Sequence, residues 1–119
     1  MNENICIKEN AMSAILKKHA VVSNQFTDVD ATISSIEHDI ENMREVPSDY
    51  CVADERKVLT DLYVDYGLLM TALSCLEYVY KALEQDDVPS DTEALKGWLR
   101  STQLEMRRKT SYLNRFSLI

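Results

Sequence analysis

Two glycines and two prolines in 119 residues leave little material for turns. A β-rich fold reverses direction often and relies on those residues, so their scarcity excludes a sandwich or barrel and favours a few long helices. Cysteine is scarce too. Cys6, Cys51 and Cys75 are odd in number and far apart. That fits neither a disulfide framework nor a zinc pattern and agrees with a reducing compartment. There is no glycine-rich phosphate loop, no nucleophile elbow and no paired-histidine motif. No apolar run reaches the ~20 residues a membrane span needs. The uncharged stretch Tyr66 to Leu76 is bounded by Asp65 and Glu77. The first residues do not read as a secretory leader, because Glu3, Glu9, Lys17 and Lys18 fall where an apolar region should run. The expectation is a cytoplasmic chain with no membrane contact, no cofactor and no metal.

Positive charge is also short: 13 Lys and Arg stand against 20 Asp and Glu, net -7. Such a chain is repelled by nucleic acid and by anionic membranes. The imbalance is uneven. Residues 1–87 hold 7 basic and 17 acidic residues, net -10, and residues 88–119 hold 6 basic and 3 acidic, net +3.

What the chain does have is heptad spacing. In the centre, Leu59, Leu62, Tyr66, Leu69, Leu73, Leu76, Tyr80 and Leu83 alternate in steps of three and four. This is the seam of a helix that packs on other helices. Val58, Tyr63, Met70, Ala72 and Val79 widen it, so the helix is expected to touch more than one neighbour. A second seam precedes it: Met12, His19, Phe26, Ile33 and Ile40 in one series, Ile15, Val22, Val29, Ile36 and Met43 in the other. The first helix is therefore placed over about 10–46, with residues 1–9 fraying. Low helix propensity from Ser23 to Asp30 would allow a kink there, but the heptad phase passes through unbroken. A third, poorer stripe runs through Leu95, Leu99, Thr102, Met106, Leu113 and Phe116.

The segment Val46-Pro47-Ser48-Asp49 recurs as Val88-Pro89-Ser90-Asp91. Each copy lies between two heptad series and reads as a turn. Proline disfavours helix in the residue before it, and Ser or Asp then caps the next helix. Ser90 with Glu93 has the spacing of a capping box. Helices over about 10–46, 49–85 and 91–116 follow, in one domain, 1–119. Short connections make neighbours antiparallel. The expected fold is all-α: an elongated up-down-up three-helix bundle or antiparallel helical coiled coil.

Few residues suggest chemistry. His19 is the one polar seam residue, a type that can set register or partner choice. Glu37, His38, Asp39 and Glu41 lack the three- or four-residue ligand spacing a helical metal site requires, and read as a solvated acidic face. Cys51 has no placed histidine partner and reads as structural. Tyr66 and Tyr80 are seam residues, so packing accounts for them. Trp98, Arg100, Arg107, Arg108, Tyr112 and Arg115 interleave aromatics with cations and form the candidate partner surface. Most of those cations are expected to pair with the two acidic helices.

These features point to a non-enzymatic helical module for protein–protein interaction: an adaptor, a small chaperone or a subunit of a larger complex. His19, Phe26, Ile33, Leu62, Tyr66, Leu69, Leu73 and Leu76 mark its helix seam, and the wide central face and weak third stripe leave apolar surface for a protein partner or a second copy, in a homodimer or hetero-complex. The alternative, less favoured, is a nucleic-acid-associated regulator working through the basic third helix.

Overall fold

The computed structural model describes residues 3–42 and 52–119, with backbone alone for Val52 and Ala53. Three helices carry the fold: α1 (Glu3–Asn42), α2 (Val52–Glu84) and α3 (Thr92–Lys109), with a short 3-10 turn at Ser111–Leu113. They run up, down and up in a rod of 71 × 19 × 19 Å, and there is no strand among the described residues. The turn at residues 46–49, Met43 and Cys51 lie outside the described residues.

α1 is continuous through Ser23–Asp30, where Thr27 and Thr32 donate their hydroxyls to the carbonyls of Ser23 and Asp28. It begins at Glu3, so the expectation of a frayed segment before residue 10 is corrected. The reason is tertiary. The Asn4 amide donates to the Ser90 carbonyl and its oxygen accepts from the Thr92 hydroxyl. Lys8 pairs with Asp86, and Lys96 reaches Glu3 at 3.4 Å. The first turns of α1 are thus tied to the α2–α3 connection.

That connection ends α2 with a Schellman pattern. The Asp87 amide donates to the Ala82 carbonyl and the Asp86 amide to that of Leu83. Asp86 takes the left-handed conformation, φ 56°, where glycine is the usual choice. α3 then starts one residue later than the capping-box spacing indicates. Its cap is Asp91, not Ser90, and the Asp91 carboxylate accepts from the Ala94 amide at 3.1 Å.

α3 also stops earlier than its stripe suggests, at Lys109 rather than near Phe116. Thr110 turns to an extended conformation (φ -153°, ψ 138°) and is buried. Its hydroxyl donates to the Leu68 carbonyl of α2 at 2.9 Å and accepts from the Tyr112 amide. The chain then runs back along α3. The Arg107 guanidinium donates twice to the Phe116 carbonyl, and the Leu118 amide donates to Gln103. Leu113, Phe116 and Leu118 are buried as a result.

The rod therefore has two halves. Where α3 and the tail that follows it lie against α1 and α2, a closed core forms from Ala11, Ile15, Val22, Leu69, Ala72, Leu76, Leu83, Leu95, Leu99 and Met106. Below the level of Leu68 only α1 and α2 remain, and among the described residues Ile33 is the one buried side chain there.

Candidate functional site

Burial divides the seam residues by the direction they face. The series on the α3 side is sealed in the upper half: Ile15 and Val22 on α1, and Leu69, Leu76 and Leu83 on α2, are buried. The same series continues below α3 as Val29, Ile36 and Leu62, which are half-buried. The opposite series is open along almost its whole length. Met12, His19, Phe26 and Ile40 on α1 are half-buried, as are Leu59, Tyr66, Leu73 and Tyr80 on α2. Ile33, 5% exposed, is the exception. Of the eight residues that mark the seam, Ile33, Leu69 and Leu76 are buried, as seam positions should be. His19, Phe26, Tyr66 and Leu73 lie on the open side, and Leu62 lies in the uncovered lower half.

Phe26 and Tyr66 meet across the open side with ring centroids 4.7 Å apart, a tilted pair. Above them, His19 Nε2 lies 3.1 Å from Glu77 Oε1. Ile15, Leu16, His19, Leu76, Glu77 and Tyr80 line a shallow hollow of 290 Å³ there. Below, Glu37, Ile40, Glu41, Arg56, Leu59 and Thr60 line a second of 560 Å³. Between the hollows, Tyr63 and Met70 project at 49% and 47% exposure, and Leu16 stands out at 55%. Desolvation at the helix edge, and then the Glu37 carboxylate, push the Tyr63 phenol up.

One exposed row of α2 flanks this side: Arg56, Thr60, Tyr63, Gly67, Met70, Ser74 and Glu77, in steps of four and three. From Thr60 to Ser74 the row carries no charge. Gly67 sits in mid-helix, and a methyl group added there would meet nothing within 4 Å in this chain. Packing within the chain gives no reason for a glycine at that position.

The structure does not assemble the basic surface as one patch. Trp98 faces α2 and lines a groove of 470 Å³ with Cys75, Tyr78 and Met106. Arg100, two residues on, points away from it, since helix neighbours at that spacing do not share a face. Arg107 is engaged by the Phe116 carbonyl. Tyr112 lies beside Asp65, and its phenol is pushed up by burial first and then by that carboxylate. The expected internal pairing is corrected as well. Lys96 pairs with Glu3 and Glu93, but among the described residues Arg100, Arg108, Lys109 and Arg115 form no ion pair. α3 ends too soon to lie against the acidic lower half.

No group of three or more His, Cys, Asp or Glu able to hold a metal occurs among the described residues. His38 bonds to Asn42 on the surface. Burial pushes the Cys75 thiol up, which keeps it protonated and a poor nucleophile at neutral pH. Among the described residues no helix is long and apolar enough to cross a membrane. Comparison of the chain with protein-family models, with curated proteins and with solved structures finds no match.

The open side was only partly legible beforehand. The heptads identify its residues, but spacing alone does not tell which side α3 covers. Leu16 lay outside the expected seam, and its clue was the four-residue step from Met12.

Proposed function

We propose that this protein is a non-enzymatic helical module that holds a protein partner along the side of the α1–α2 pair facing away from α3. One observation carries this reading: on a single pair of helices, the seam series under α3 is buried and the opposite series, Ile33 apart, is only half-buried from Met12 to Ile40 and from Leu59 to Tyr80. A continuous apolar face of this length, rich in Tyr, Phe, Met and Leu and nearly free of charge at its centre, has the composition of an interface core. The roles that suit such a face are those of an adaptor, a small chaperone or a subunit of a larger complex.

The nucleic-acid reading weakens. It needs Trp98 and the α3 cations on one surface; Lys109 shares the groove with Trp98, but Arg100 points away from it and Arg107 is held by the Phe116 carbonyl.

Site-specific photo-crosslinking in cells tests the proposal. A crosslinking side chain at Met70 or Leu16 is expected to give discrete protein adducts, and one at the exposed Leu104 on α3 few. Equal labelling from all three positions, or none from Met70, would dismiss the open side as a contact surface.

A further inference from the structure

We infer that the occupant of this open side is a second copy of the same chain, lying antiparallel so that α2 crosses α2 of its partner next to Gly67. The inference rests on the reading of the open side as a contact surface and adds who sits there and in what register.

The exposed row of α2 sets the register. An antiparallel two-fold arrangement makes every contact twice, residue i with j and j with i. Placing Tyr63 of one copy opposite Met70 of the other brings the sulfur against an aromatic ring, a favourable pairing. Seven residues towards the N-terminus from Tyr63 is Arg56, and seven towards the C-terminus from Met70 is Glu77. The same register therefore sets Arg56 of each copy opposite Glu77 of the other. Both side chains are exposed; Glu77 lies beside His19 of its own chain with one carboxylate oxygen, and Arg56 has no ion-pair partner among the described residues. Shifting the register by a turn loses both matches together.

The arrangement also answers two features that a single chain leaves without a purpose. Gly67 falls beside the two-fold axis, where the backbones of two crossing helices come closest and a side chain would hold them apart. The two hollows lie at opposite ends of the open side, so each receives the other's rim. The acidic lower half of one copy then runs beside the upper half of its partner, not beside the partner's own acidic half, which avoids like-charge contact. The strip from Arg56 to Glu77 is about 32 Å long, and the rod is 19 Å wide. Covering it on both copies removes roughly 1,200 Å², the lower end of what specific dimers use.

Sedimentation equilibrium on the full chain up to about 100 µM tests this, a range that captures a micromolar dissociation constant. The expected mass is twice the 13.7 kDa of the chain. Arg56→Glu should weaken the dimer at least about tenfold, and adding Glu77→Arg should recover most of the loss, since the pair is inverted rather than removed. Gly67→Ala should weaken it too, although the same change favours an isolated helix. Circular dichroism of each variant checks that the helices persist. A monomer at every concentration overturns the inference. So does a dimer indifferent to Arg56→Glu and Gly67→Ala. A monomer that still crosslinks from Met70 to a different protein overturns self-pairing and leaves the interaction reading standing.

Discussion

Thr110 decides where the third helix ends. A threonine directly after a run of cations gives little sign of this role in sequence, because its propensity for helix is only modestly low. In the fold its hydroxyl donates to the Leu68 carbonyl and accepts from the Tyr112 amide, so one side chain locks α3 to α2 and caps the 3-10 turn. Thr110→Val keeps the shape and removes both bonds. We expect a loss of about 1–2 kcal/mol in urea unfolding. Cys75 supports a second prediction at this scale. Its thiol is pushed up by burial, while Cys6 is exposed. Cys6 should therefore be alkylated before Cys75 at neutral pH, as peptide mass mapping would reveal.

Three acids among the described residues are displaced in the same direction. Cys75, Tyr63 and Tyr112 are acids raised in the folded state. Each loses its proton more readily when unfolded, so the unfolded state binds fewer protons at alkaline pH. Their contribution is complete below the ordinary thiol and phenol ranges and is lost as pH rises through the raised values. The thermal midpoint should fall steadily above about pH 9. A midpoint that climbs over that range would contradict it.

At the scale of elements, α1 is held at its start and α2 at its end by the same knot of polar contacts. Asn4 and Lys8 near the start of α1 meet Asp86 and Ser90 of the α2–α3 connection and Thr92 at the start of α3, far along the sequence. A chain lacking residues 1–9 should lose about 2 kcal/mol or more, since Ile7 packs on the core and the Asn4 bonds go with it. If the segment frayed, the truncation would be neutral in a denaturant melt. The helices themselves were legible: α1 and α2 follow from two uninterrupted heptad series, and their spacing predicts which residues turn inward. Their ends were not. Asp91 and Ser90 are equally good caps by residue type, and only the commitment of the Ser90 carbonyl to Asn4 separates them.

At the scale of the whole molecule, stability is concentrated at one end. The closed core and the returning tail occupy the upper half, and the lower half is a helix pair. Backbone amides of Leu69–Leu83 should exchange with solvent more slowly than those of Leu59–Tyr66 in dilute protein, by hydrogen-exchange mass spectrometry. If the two-fold pairing holds, raising the protein concentration should slow exchange along Arg56–Glu77 and leave the amides of α3 unchanged.

The sequence by itself determined an all-α chain, the two long helices and the residues that face between them. Those depend on local propensity and on a period that every turn of the helix repeats. Only the tertiary structure decided where α3 stops, which side of the α1–α2 pair it covers and, in consequence, which apolar face is left open. A heptad marks a residue as inward-facing, but an antiparallel pair has two equivalent sides. The choice between them rests on single long-range contacts, such as Thr110 with Leu68 and Asn4 with Ser90, that no periodicity encodes.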